Sequence, residues 1–142
     1  MTFSNPAPDE IRDLLQRVKH IALVGYSPNP GRPSHNIGRM MQRYGFRITP
    51  VRPGIAEGLG EKAYPDLASI PDPGGIDMVD VFRASEHVDG IVDECLRLGY
   101  KAIWLQDGVI DEASAARAVA GGMTVVMDRC ILRDYTRMVA AA

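Results

Sequence analysis

HIALVGYSPNPGRPSHNIGRMMQRYG, residues 20–45, decides the fold. After His20, the residues Ile21, Ala22, Leu23 and Val24 make a compact apolar run that stops at Gly25. It is too short for a helix and suits a strand buried on both faces. A loop follows from Tyr26 to Pro33. Ser34 then stands where an N-cap belongs, Ile37, Met40, Met41 and Tyr44 mark one buried helical stripe, and Gly45 supplies the stop. The stretch reads as strand, loop, helix.

The same alternation continues outward. Upstream, Ile11, Leu14, Leu15 and Val18 keep helical spacing after Pro8 and Asp9. Downstream, Phe46 to Val51 predicts a strand that breaks at Pro53-Gly54, and a helical turn is expected around Ala68. Met78 to Phe82 predicts a third strand. Ser85 is then expected to cap a helix through Val88, Ile91, Val92, Cys95 and Leu96, closed by Gly99. Ala102 to Leu105 predicts a strand, Asp111 a cap for a helix through Ala113, Ala116 and Val119, and Met123 to Met127 the last strand. Strands separated by whole helices need crossover connections, which give a parallel sheet. The expectation is an α/β, Rossmann-like, doubly wound domain over residues 1–142, mainly parallel and with helices on both faces.

Composition agrees with one folded domain. The 142 residues are 46% hydrophobic and 24% charged, which excludes disordered, collagen-like and coiled-coil chains. A formal charge of -2 and a pI near 5.9 lack the basic footprint of a nucleic-acid binder. Apolar runs of about five residues fall far short of the roughly 20 that span a bilayer. The acidic start MTFSNPAPDEIRDLL does not resemble a signal peptide, so a cytoplasmic protein is expected. Cys95 and Cys130 are expected to be thiols there. Two cysteines and three scattered histidines without CxxC or HExxH spacing predict no metal site.

Open parallel sheets bind ligands at the carboxyl ends of their strands. GYSPNPGRPSH, residues 25–35, is longer than a plain connection requires. Gly25 permits a sharp turn, Ser27 and Ser34 offer hydroxyls, Arg32 offers a guanidinium, and the next helix points free N–H groups at the loop. It is not the GxGxxG fingerprint, because prolines 28, 30 and 33 stiffen it. The acid that would bond a nicotinamide cofactor's ribose, about 20 residues further on, is replaced by Arg52, beside Pro53. A cation there suits a ribose phosphate, as in coenzyme A or NADP. On the same edge, Phe82 could lie against a planar base, Arg83 against a phosphate, and Gln106 and the backbone near Gly108 against polar ligand atoms.

GYSPNPGRPSH at Gly25, VRP at Val51, DVFR at Asp80, WLQDG at Trp104 and VVMDRC at Val125 together resemble the small CoA-binding-domain family, over about Ile11 to Arg137. That family is similar to the N-terminal domain of the succinyl-CoA synthetase alpha subunit and of ADP-forming acyl-CoA synthetases. The resemblance implies a Rossmann-like fold holding CoA. Gly25, Ser27, Pro28, Arg32, Pro33 and Ser34 match its first ligand loop, Arg52 and Pro53 the second, Phe82 and Arg83 the third, and Gln106 and Gly108 the fourth. Tyr26 stands where Ala is frequent, Arg52 where Asn is, and Asp107 where an apolar residue is. Tyr26 and Asp107 are expected to narrow or charge the site.

The resemblance places the synthetases' phosphohistidine in a separate second domain, which is not expected within these 142 residues, so their reaction is not expected here. His20 and His87 are expected on the surface, and His35 near the pocket lacks a triad partner in sequence. Cys130, with Arg129 beside it before a helix running to Met138, has the setting of a reactive thiol, whereas Cys95 belongs to a core stripe. The expected function is binding of CoA or an acyl-CoA without catalysis, in a regulatory role or as a cofactor-binding subunit, with no nucleic-acid or membrane partner. Two alternatives stand beside it: an NADP-linked or thiol-disulfide redox enzyme using Cys130, and an interaction module whose nucleotide site has decayed.

Overall fold

The structure is a computed structural model and describes residues 2–141. In chain order it contains α1 (Pro8–Arg17), β1 (His20–Val24), α2 (Pro33–Arg43), β2 (Arg47–Val51), β3 (Glu57–Gly58), β4 (Glu61–Lys62), β5 (Met78–Val81), α3 (Val88–Leu98), β6 (Ala102–Leu105), α4 (Glu112–Ala120), β7 (Thr124–Val126) and α5 (Ile131–Tyr135). Five strands pair in parallel in the order β2-β1-β5-β6-β7. This is a doubly wound, Rossmann-like α/β fold.

Alternation along β1 explains why its sequence is apolar throughout. Ala22 and Val24 face one layer with Val88, Val92 and Cys95 of α3 and Ala115 and Ala118 of α4. Ile21 and Leu23 face the other, with Ile11, Leu14 and Leu15 of α1, Met41 of α2 and Ile131 of α5. Both faces are therefore dry, as parallel sheets require. Among the described residues no helix is long and apolar enough to cross a membrane.

Several local expectations need correction. Ser34 is not the cap: Arg32 holds that place and Pro33 takes the first helical turn, where its missing N–H costs nothing. Ser85 does not cap α3 either, because a 3-10 turn over Ser85–His87 intervenes and the Ser85 hydroxyl accepts from Ile110 N (2.9 Å). Asp111 does cap α4, accepting from Ser114 N at 3.0 Å. The buried residues of α4 are Ser114, Ala115, Ala116 and Ala118, so Ala116 is buried as expected, while Ala113 is exposed and Val119 is 49% exposed. His20 is the first residue of β1, not a surface residue before it, and its ring bonds Thr49 Oγ1 (2.6 Å) and Gly75 O (3.0 Å). Beyond Tyr135 the chain continues as a π-helical turn, Thr136–Ala140, so the last helix is shorter than expected. A small hairpin, β3 and β4, had no counterpart in the sequence reading. Its two turn residues, Leu59 and Gly60, both adopt positive φ (53° and 75°), a turn for which Leu is an unusual choice.

Candidate functional site

Strand order reverses direction at β1, which has β2 on one side and β5 on the other, and there the loops after β1 and β5 meet. Gly25 N donates to Val51 O (3.1 Å) and Phe82 N donates to Val24 O (2.8 Å). Gly25 has φ +85°, and a Cβ on it would lie 2.5 Å from Phe82 O and 2.9 Å from Arg83 Cδ. Only glycine fits both the conformation and the approach. Gly25→Ala is accordingly expected to cost about 1–3 kcal/mol of stability, read as a lowered urea midpoint with an unchanged m-value.

The loop from Gly25 is braced by its own polar groups. Ser34 Oγ accepts from Ser27 N (2.9 Å), Ser27 Oγ from Asn29 N (3.2 Å) and Asn29 Oδ1 from Gly31 N (2.9 Å). Each serine oxygen thus serves as an acceptor within the loop and keeps its O–H proton to donate outward. Pro33 has no N–H, and Arg32 N and His35 N donate to Asn29 O (3.0 Å) and Arg32 O (3.1 Å), so the start of α2 adds Ser34 N and the helix dipole to a setting that favours an anion. Tyr26 is 2% exposed. Its hydroxyl meets His35 Nδ1 at 3.1 Å, and its ring packs so closely on Gly58 that a Cβ there would come within 2.5 Å of Tyr26 Cε2. The ring is therefore held between Gly58 and His35, and Tyr26 is among the residues lining the first lobe of the cleft. Burial raises its phenol above the ordinary tyrosine range.

Two adjoining cavities open along this edge. The first, about 980 Å³, is lined by Ser27, Pro28, Arg32, Arg52, Pro53 and Arg83, together with the backbone of Gly25 and with Phe82. The second, about 630 Å³, shares Gly25, Arg32, Phe82 and Arg83 with it, and extends to Pro33, Ser34, Ile37, Gln106, Asp107, Val109 and Cys130. Arg32 and Arg83 stand where the two lobes join. Among the described residues, Arg32, Arg52 and Arg83 form no ion pair with any carboxylate. Unneutralised guanidiniums crowding one cleft make it attractive to a ligand with several negative charges.

The carboxylates around the second lobe are, by contrast, matched. Arg133 donates to both oxygens of Asp107 (2.8 and 2.9 Å), and this pairing holds the Asp107 carboxyl below its usual range. Asp107 is therefore not a free charge at the site. Arg129 donates to Asp134 Oδ2 (2.6 Å) and Oδ1 (3.0 Å). Gln106 is 5% exposed; its Nε2 donates to Asp80 Oδ1 (2.6 Å) and its Oε1 accepts from Ile131 N (3.4 Å). Gln106 presents a wall to the lobe while both ends of its amide are engaged inside the protein. Gly108 lies outside both lobes, its N donating to Asp128 Oδ1 (2.7 Å) and its O accepting from Ser85 Oγ (3.3 Å).

Both cysteines are free. Cys130 is half-buried at the N-terminus of α5 and lines the second lobe. Cys95 is fully buried, which pushes its thiol up to about 12.

A family model described as a CoA binding domain matches residues 19–136. The chain belongs to the CoA-binding domain family. It is 43% identical over 129 residues to the uncharacterized protein YneT of Bacillus subtilis, covering 91% of this chain and 94% of that one. It is also 33% identical over 113 residues to the ADP-forming acetate–CoA ligase II of Archaeoglobus fulgidus, covering 78% of this chain but 16% of the ligase. Among solved structures it resembles a hypothetical protein from Pyrococcus horikoshii OT3, with a TM-score of 0.88 and 31% identity over 98% of this chain and 99% of the other.

For a member of the CoA-binding domain family, this chain carries cleft residues that its motifs did not announce. His87, Ile91 and Glu94 line the first lobe from one face of α3 and the turn before it, and Asp66 and Leu67 line it from the turn before β5. The spacing 87, 91, 94 is that of one helical face, a signal present in the sequence but masked by the core stripe beside it. Asp80 had no such signal, since it sits inside an apolar strand.

Proposed function

We propose that this chain binds coenzyme A or an acyl-CoA in the two-lobed cleft and performs no turnover of its own. The observation that carries the reading is the convergence of Arg32, Arg52 and Arg83, none paired with an acid among the described residues, on the point where strand order reverses. The first lobe suits the phosphates and the adenine, with Phe82 available to the ring. The second lobe, with Ile37, Phe82 and Val109, suits the less polar pantetheine arm and an acyl group. Membership of the CoA-binding domain family and likeness to part of an acetate–CoA ligase support CoA as the ligand class. Against the decayed-site alternative stands the pairing of Asp107 with Arg133, which neutralises the acid at the second lobe.

Arg52 is assigned to the ribose phosphate. CoA is then expected to bind roughly tenfold or more tightly than dephospho-CoA, the equivalent of one charge-assisted contact, and Arg52→Ala is expected to erase most of that preference. Equal titration curves for the two ligands would remove this role, and failure of both to bind would remove the reading.

A thiol–disulfide role has one observation in its favour, the free Cys130 thiol on the second lobe. Its sulfur would attack CoA disulfide, forming a protein–CoA bond and releasing one CoA thiolate. Oxidised CoA is then expected to add the mass of one CoA to the wild type and to Cys95→Ser, but not to Cys130→Ser; no adduct on the wild type would end this second reading.

A further inference from the structure

Asp80 is the one acid within the five-stranded sheet, and CoA binding as described does not use it. It is 2% exposed and lies between Leu23 of β1 and Trp104 of β6 in the strand register, on the layer shared with α1, α2 and α5. Its recorded polar contact is Gln106, whose amide both walls the second lobe and holds Ile131 N at the start of α5. A carboxyl, an amide and a helix start thus form one connected line running under the cleft.

Among the described residues no charged side chain forms a hydrogen bond or ion pair with Asp80. On β1, His20 stands at the far end and bonds Thr49 and Gly75. On α2, His35 is engaged by Tyr26, and Arg39 and Arg43 are exposed. From α5 and the loop before it, Asp134 faces Arg129 and Arg133 faces Asp107, while Asp128 accepts from Gly108. The charged residues of α1, from Asp9 to Arg17, are exposed. Arg32 and Arg83 lie on the cleft itself. Burial pushes the Asp80 carboxyl up to about 7, although the bond from Gln106 works in the opposite direction.

An ionised Asp80 would set a negative charge in a low-dielectric layer behind Gln106, under the second lobe and beside the lobe assigned to the phosphates, where it would repel a polyanion; a neutral one would not. We propose that Asp80 is a specificity-determining residue that couples proton uptake to anion binding: the cleft takes CoA with Asp80 neutral, and affinity falls as Asp80 ionises. This rests on the cleft being the CoA site. By linkage, CoA binding takes up a proton at Asp80.

Asp80→Asn separates the charge from the geometry, because Asn keeps the size and an acceptor for Gln106. Calorimetric titrations with CoA at pH 6, 7 and 8 are expected to show wild-type affinity falling several-fold more than that of the variant, up to about tenfold per unit of pKa change on binding. The comparison cancels ionisation of the CoA phosphate, which is common to both proteins. Urea unfolding supplies a readout without ligand. A carboxyl raised in the folded state binds its proton there after the unfolded chain has lost it, so wild-type stability falls relative to Asp80→Asn as pH rises from 4 through 7. Equal affinity slopes for the two proteins would overturn the proposal. If neither protein binds CoA at any pH, the CoA reading of the cleft fails and this inference with it, while a surviving difference in the unfolding slopes would show that the fault lies in the ligand and not in Asp80.

Discussion

Replacing Arg32 and Arg83 together by alanine is expected to weaken CoA binding by roughly a hundredfold or more. Each guanidinium offers charge-assisted contacts worth on the order of 1.5–3 kcal/mol, and 1.4 kcal/mol is a factor of ten. Both side chains are exposed and unpaired in the free protein, so their removal leaves no partner stranded and the fold intact. Arg39, exposed on α2 but absent from both lobes, serves as the control. Arg39→Ala is expected to leave affinity unchanged. A similar loss in the control would point to overall charge, and no loss in the double variant would mean that the ligand does not lie between these residues.

Arg129→Met is expected to be the most destabilising change at the site's border. Asp134 is 1% exposed, and Arg129 is its ion-pair partner through two hydrogen bonds. Removing Arg129 strands a buried carboxylate, but Arg129 itself is 36% exposed, so the cost lies between the buried and surface cases, about 1–3 kcal/mol. Trp104, fully buried in the sheet, donates its Nε1 to Arg129 O (2.7 Å), so the same segment is also tied to the core through its backbone. Arg133→Met breaks a bidentate pair of similar geometry, but both side chains are well exposed (42% and 54%), and the cost should stay below about 1 kcal/mol. Urea unfolding of the two variants at pH 7 distinguishes them. Equal losses would contradict the burial argument.

The sheet was legible because its signals are local. Ile21 to Val24 is a short apolar run closed by a glycine, and the run itself states that both faces are covered. Gly25, Arg52, Phe82 and Arg83 could be placed on one edge once the strands were placed, since a parallel sheet brings the ends of its strands together. What failed depended on neighbours. Ser34 looks like a cap by type, yet Pro33 satisfies the helix start and frees the Ser34 hydroxyl to hold Ser27 N. Val119 is an apolar residue at helical spacing, yet α4 meets the core through its own Ala115 and Ala118 and leaves Val119 exposed. Asp107 reads as a free charge on the cleft because Arg133, the partner that neutralises it, is joined to it only by the fold. The role of Asp80 was hidden for the same reason. Its partner Gln106 lies on the next strand's end, and no spacing rule links the two.

The central claim is tested most directly by titrating the purified protein with CoA in a calorimeter, with mass spectrometry under non-denaturing conditions on the same sample. The expected result is saturable binding of one CoA per chain, lost in the Arg32→Ala, Arg83→Ala variant. A correctly folded protein that shows neither heat nor a CoA adduct with ligand up to about 1 mM, the level of a −4.1 kcal/mol interaction, would contradict it.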